Sequence, residues 1–124
     1  MSVMTLADPR IDWAIAHIEA SLDRPLRIAE IARAVNLSTS RFTHLFREAT
    51  GDSPARYLQI RRLERARVLI ETTFLTIKEV MGQVGFNDPS HFTRDFSRHH
   101  GIPPTGIRAG RGIPQTADVE RGGK

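Results

Sequence analysis

The sequence carries one segment twice: RFTHLFREATGDSP at residues 41–54 returns as HFTRDFSRHHGIPP at residues 91–104. Five residues are identical at an offset of fifty positions: Phe42 and Phe92, Thr43 and Thr93, Phe46 and Phe96, Gly51 and Gly101, Pro54 and Pro104. Upstream, the copies align at an offset of forty-nine: Ile31, Val35 and Leu37 correspond to Val80, Val84 and Phe86. The second copy therefore has one extra residue in the turn between its two aligned blocks.

Helix signals surround the first copy. Apolar spacing predicts a short helix over roughly residues 28–34, followed by a three-residue turn, Asn36-Leu37-Ser38. Ser38 can cap a second helix that runs to about Thr50, where Gly51 supplies a left-handed stop. The expected buried stripe of this second helix consists of Phe42, Leu45, Phe46 and Ala49. The first copy therefore predicts a helix-turn-helix over residues 27–50.

The second copy repeats this pattern with different caps. Thr76 and Glu79 form a capping box, and Gly85-Phe86 makes the turn. Asp88-Pro89 then caps a helix that ends at Gly101. We therefore expect a second helix-turn-helix over residues 76–100, with its second helix at about 88–100.

The remaining segments are also helical. Asp8-Pro9 opens a first helix, and Ser53-Pro54 opens a long linker helix over about 54–72. Pro103-Pro104 begins a last turn of helix that ends near Arg108, and residues 109–124 are expected to be a flexible tail. The predicted fold class is all-α, with about seven helices arranged as two helix-turn-helix subdomains joined by the linker helix.

Length and composition limit the classes of protein. A chain of 124 residues supports one domain or two small lobes. It has no cysteine, which excludes disulfides, thiolate zinc sites and cysteine nucleophiles. The start of the chain lacks a signal-peptide pattern, and no apolar run is long enough to span a membrane. We therefore expect a cytoplasmic protein.

The charge is concentrated in the middle of the chain. Residues 24–67 hold ten arginines against four acidic residues, whereas residues 1–23 are acidic and residues 68–108 are balanced. A basic middle is expected for a protein that binds a polyanion. Solvated arginine faces on an ordinary helical protein are the alternative.

The duplication favours DNA as the polyanion. Successive major grooves on one face of B-DNA lie about 34 Å apart, and a dimer normally supplies the two reading helices. A linker helix of about 18 residues would span roughly 27 Å, so one chain could carry both. A repeated scaffold without a ligand is the alternative, but the short polar side chains on the outer faces of both second helices argue against it.

Four spaced motifs run through both copies and the linker: Gly51-x-Ser53-Pro54-x-x-Tyr57-Leu58, Arg62-Leu63-x-x-Ala66, Gly85-Phe86-x-Asp88-x-Ser90-x-Phe92-x-Arg94-x-Phe96 and Gly101-x-Pro103-Pro104. Together they resemble the DNA-binding domain of the AraC/XylS family of bacterial transcription regulators. The resemblance covers residues 8–108, within an expected domain of residues 1–108. Because little sequence lies outside it, the chain looks like the single-domain MarA/SoxS/Rob group. That resemblance implies a monomer on an asymmetric DNA site and recruitment of RNA polymerase.

The resemblance also implies which residues touch DNA. The expected base contacts are Ser40, Arg41, Thr43 and His44 in the first recognition helix and Ser90, His91, Thr93 and Arg94 in the second. The expected phosphate contacts are Arg47, Arg61, Arg62, Lys78 and Arg98. The family usually has arginine two positions after the buried residue. Arg94 follows this pattern, whereas His44 departs from it.

Two other classes of function, an interaction module and an enzyme, compete with DNA binding. An interaction module that docks on RNA polymerase or another regulator, without reading DNA itself, is the main alternative. An enzyme is not expected, since there is no phosphate-cradling glycine loop and no carboxylate pair in an apolar pocket. No cofactor or metal is expected, because the adjacent His99 and His100 diverge on a helix. A detached DNA-binding half of a longer effector-responsive regulator is a third possibility, less expected but compatible with the same function.

Overall fold

The structure, a computed structural model, describes residues 8–110 and consists of seven helices. They are α1 Pro9–Ala20, α2 Ile28–Ala34, α3 Thr39–Thr50, α4 Pro54–Thr72, α5 Ile77–Gln83, α6 Pro89–His100 and α7 Pro104–Gly110. Residues 8–110 contain no strand. The prediction of an all-α fold with two helix-turn-helix pairs is therefore confirmed.

The chain divides into two compact units within α4. The first unit ends at Arg61, and the second begins at Arg62. Of the expected tail, Ala109 and Gly110 belong to α7, and the rest lies outside the described residues.

The core of the first unit lies beneath α3. Phe42 and Phe46 are fully buried, with ring centroids 5.6 Å apart, and the ring of Tyr57 meets Phe46 edge-on at 5.2 Å. The surrounding buried residues come from α1, the turn after it, α2 and α4: Ile11, Ala14, Ile18, Leu22, Ile31, Ala32 and Leu58. Ala49 is exposed, so its expected place in the buried stripe was wrong. In that last turn the half-buried residue is Thr50, whose hydroxyl donates to the Phe46 carbonyl.

A polar cluster ties α4 to α1 within the first unit. The Glu19 carboxylate accepts from Arg61 at both oxygens, with Nε–Oε2 2.7 Å and Nη2–Oε1 3.1 Å. It also accepts from the Tyr57 hydroxyl at 3.1 Å. Two parallel N–H bonds between a guanidinium and a carboxylate fix geometry better than one bond does.

The second unit repeats the arrangement. Phe92 and Phe96 are fully buried with ring centroids 5.5 Å apart. Their buried neighbours are Leu63, Ala66, Leu69, Ile70, Val80, Met81, Val84 and Ile107. The ring of His100 packs against that of Phe96 at a tilt of 51°, and its Nε2 lies 3.0 Å from the Leu63 carbonyl oxygen. Burial of the ring lowers the pKa of His100, which favours its neutral form.

The two turns differ by one residue, as the sequence predicted. Asn36 and Gly85 both have a positive φ, 62° and 86°, at matching positions of the two turns. The next residue donates its amide to the preceding helix in both copies, from Leu37 to Ala32 and from Phe86 to Met81, each at 2.9 Å. The helix caps follow at Ser38 and Asp88. Asn87 is therefore the extra residue.

A buried arginine closes the end of α4 in the second unit. Arg108 is 2% exposed and donates to the carbonyls of Ile70, Thr73 and Leu75. The Ile70 carbonyl belongs to the last turn of α4, where carbonyls have no partner within the helix, and those of Thr73 and Leu75 belong to the segment that follows. Arg108 therefore caps the end of α4 and holds the segment after it from a residue far along the chain.

Replacing Arg108 with methionine should destabilise the second unit. The substitution keeps the volume of the side chain but leaves three carbonyls without their donor, so the free energy of unfolding should fall by about 2–3 kcal/mol. Urea unfolding followed by circular dichroism measures the change. The matched control, Arg65→Met, alters an exposed arginine of α4 and should shift stability by less than about 0.5 kcal/mol. Equal effects of the two substitutions would contradict the capping role.

Candidate nucleic-acid interface

The first expected recognition helix is α3, and its two faces differ sharply. Its N-terminus is capped by Ser38, whose hydroxyl accepts from the Arg41 amide at 3.1 Å. The expected contact residues Ser40, Arg41, His44 and Arg47 are exposed, and Thr43 is half-buried. Because the phenylalanines occupy the buried face, these polar side chains are left on the opposite side and its flanks.

The second expected recognition helix, α6, presents the same positions fifty residues later. Its cap, Asp88, accepts from the amides of Ser90 and His91 at 3.0 and 3.3 Å, and Pro89 starts the helix. The expected contact residues Ser90, His91, Thr93, Arg94 and Arg98 are all exposed. Each unit therefore presents one amphipathic helix with short polar and cationic side chains on its outer face.

Carboxylates lie beside expected base-reading side chains on both helices. His44 Nε2 is 3.2 Å from Glu48 Oε2 on α3. On α6, Asp95 Oδ1 is 3.7 Å from Arg94 Nε and 3.7 Å from Arg98 Nη1. Neither acid was among the residues expected to contact DNA. The spacing of four residues between His44 and Glu48, and of three between Asp95 and Arg98, was the signal that could have found them.

The expected phosphate contacts fall into two groups. Arg47, Lys78 and Arg98 are exposed. Arg61 instead holds the Glu19 carboxylate, so a phosphate would have to compete with an existing ion pair. Arg62 is half-buried, and desolvation lowers its pKa, although an arginine stays protonated at neutral pH.

The histidines do not gather into a metal site. His99 faces Glu64, with Nε2 and Oε2 3.6 Å apart, and its ring meets that of His100. Within residues 8–110 there is no group of three or more histidine, cysteine or acidic side chains that could hold a metal ion. In the same part of the chain, none of the helices has the length and hydropathy needed to cross a membrane.

Sequence comparison identifies relatives among bacterial regulators. The profile of a family described as a helix-turn-helix domain matches residues 31–110. The arabinose operon regulatory protein of Escherichia coli K12 is 38% identical over 104 residues, which cover 83% of this chain and 36% of that protein. The transcriptional regulator GbdR of Pseudomonas aeruginosa PAO1 is 36% identical over 107 residues, covering 86% of this chain and 29% of that protein. The chain thus spans about a third of the length of these relatives.

Solved structures agree in fold. An AraC-type regulator from Chromobacterium violaceum superposes with a TM-score of 0.77 and 32% identity, over 86% of this chain and 95% of that one. The DNA-binding domain of AdpA, solved with a target DNA, superposes with a TM-score of 0.78 and 26% identity, over 91% of this chain and 98% of that one. These similarities confirm the resemblance seen in the motifs, and with it the prediction that the chain is not an enzyme. The chain belongs to the AraC-type family of helix-turn-helix transcription regulators.

Proposed function

We propose that this chain binds double-stranded DNA sequence-specifically and regulates transcription by inserting α3 and α6 into successive major grooves. The observation that supports this most is the repeated outer face of these helices. Ser40, Thr43 and His44 in one copy correspond in position to Ser90, Thr93 and Arg94 in the other. All but Thr43 are exposed, and the major groove admits a helix with such side chains on its outer face.

The chemistry of these side chains suits base edges. A guanidinium can donate two parallel hydrogen bonds to guanine O6 and N7, whereas an imidazole nitrogen offers one bond. Arg94 is therefore proposed as the most selective single base contact and His44 as a less selective one. The solved complex of the related AdpA domain with a target DNA supports DNA as the ligand.

Three further parts of the proposal come from the family resemblance. They are recruitment of RNA polymerase, binding as a monomer, and a cytoplasmic location. Activation follows from recruitment, since a protein that brings the polymerase to a promoter raises transcription there. An interaction module without sequence readout is the competing outcome of the test that follows.

Selection from a random duplex library tests the proposed function directly. The selected duplexes should share two conserved boxes about 10–10.5 base pairs apart, because each recognition helix reads one major groove. Sequencing of successive selection rounds measures the enrichment. A pool that stays random would refute sequence-specific binding and favour the interaction module.

Arg94→Ala should relax the sequence preference at one base pair of the second box. Loss of a two-bond contact to guanine should remove about 1–3 kcal/mol of discrimination against the other bases. Competition binding with duplexes that vary at that pair measures the effect. Arg10→Ala is the control, since it removes the same charge from α1, where Arg10 is paired with Asp8 at 3.0 Å. Unaltered preference in the Arg94 variant would refute its base contact.

Salt dependence separates the proposed phosphate contacts from the paired arginine. Arg47→Gln should reduce the slope of log affinity against log salt by about 0.9, the contribution of one neutralised phosphate. Arg61→Gln should change the slope less, because Arg61 is bound to Glu19, and should instead lower stability by up to about 1 kcal/mol. Binding titrations at several salt concentrations and urea unfolding measure both quantities. If the Arg61 variant lost as much slope as the Arg47 variant at unchanged stability, Arg61 would be the phosphate contact.

A further inference from the structure

Each recognition helix places a carboxylate beside the side chain at its base-reading position. Resting on the proposed function, we propose that Asp95 and Glu48 are specificity-determining residues that hold Arg94 and His44 away from phosphates until a base edge is available. Neither acid contacts a base itself in this proposal. Each acts through the side chain beside it.

The position of the Asp95 carboxylate beside Arg94 is the main support for this proposal. Asp95 Oδ1 lies 3.7 Å from Arg94 Nε, the guanidinium nitrogen nearest the helix backbone. Bidentate recognition of guanine needs two N–H groups of the guanidinium, and an arginine has five. A carboxylate at Nε therefore leaves the terminal N–H groups available and favours an orientation in which they point outward.

The burial of Asp95 makes its charge a fixed part of the helix. Its side chain is 15% exposed, whereas those of Arg94 and Arg98 are 58% and 73% exposed. The two arginines can move on and off the carboxylate, but the largely covered carboxylate has little room to turn away. Any phosphate that approaches Arg94 consequently also approaches a negative charge, and like charges repel.

This repulsion acts unequally on the two kinds of DNA. Nonspecific binding depends almost wholly on cation–phosphate attraction, so a fixed carboxylate weakens it. A specific site adds hydrogen bonds to base edges, and these remain available to Arg94 while Asp95 is in place. Asp95 therefore raises the ratio of specific to nonspecific affinity rather than the affinity itself.

The first copy also places a carboxylate beside its base-reading position, from a different position and on a more exposed side chain. Glu48 follows His44 by four residues, whereas Asp95 follows Arg94 by one. At the offset of fifty, Glu48 corresponds to Arg98 and Asp95 to Leu45, so duplication of one ancestral acid does not account for both. In each helix, the residue two positions after the first buried phenylalanine is paired with an acid, and the acid lies at a different position in the two copies.

Asp95→Asn tests the proposal, with affinities measured by fluorescence anisotropy for a selected duplex and for a shuffled duplex of equal length. The variant should bind the shuffled duplex about fivefold more tightly, as expected for loss of one exposed charge interaction, and the selected duplex nearly unchanged. The specificity ratio should thus fall about fivefold. Asp95→Glu keeps the charge and should restore most of the ratio.

Glu71→Gln is the matched control. Glu71 pairs with Arg67 on α4 at 3.0 Å, so this variant removes the same charge and releases an arginine outside both recognition helices. It should change both affinities by the same factor. Glu48→Gln, at a side chain that is 62% exposed, is the second test variant and should lower the ratio even if Asp95→Asn is poorly folded.

The outcomes separate this inference from the proposed function. A wild-type chain that binds both duplexes equally would refute the proposed function. A wild-type preference that Asp95→Asn and Glu48→Gln retain as fully as Glu71→Gln does would refute only the role of the two carboxylates.

Discussion

The phenylalanine pair buried beneath each recognition helix is the interaction on which the rest of the structure depends. Phe42 and Phe46 in one unit, and Phe92 and Phe96 in the other, are spaced by one helical turn and are 0% exposed. Burying one such side chain contributes about 1.5–3 kcal/mol, so rotation of the helix about its axis would cost several times the thermal energy. The pair therefore decides which residues face outward, and every proposed DNA contact on α3 and α6 follows from that choice.

Fixing the rotation of a helix is useful only if the helix also starts at the right residue. The two turns set the start of the following helix with different residues, Asn36 in one and Gly85 in the other, both in the left-handed conformation. The extra residue, Asn87, is accommodated before the cap, and the following helix begins without a change in the order of buried and exposed positions. An insertion inside α6 would have rotated all later side chains by about 100°, given 3.6 residues per turn. Because Asn87 lies in the turn, the same side chains of α6 stay on its outer face.

Local patterns in the sequence were sufficient to predict the helices but not the contacts between them. Caps such as Ser38 and Asp88, and the spacing of the phenylalanines, act within a few residues, so they predicted the helix starts and the buried faces. The bond from Arg61 to Glu19 joins residues 42 positions apart, and the cap that Arg108 provides for α4 joins residues 33 to 38 positions apart. No periodicity encodes such pairs, because they depend on how helices pack. The acids beside His44 and Arg98 were visible as spacings, but many such spacings on helices form no pair.

Folding also changes the electrostatic effect of the basic middle of the chain, residues 24–67. Counting residues suggested a strong positive segment, with ten arginines between residues 24 and 67. In the described structure, Arg56, Arg61 and Arg67 are each bound to an acid, at 3.4, 2.7 and 3.0 Å. One of these acids, Glu19, comes from the acidic first segment, so folding brings opposite charges together that the sequence keeps apart. Ion pairing of this kind lowers the positive potential near these arginines, so in the proposed function the discrimination between DNA sites rests on the side chains of α3 and α6.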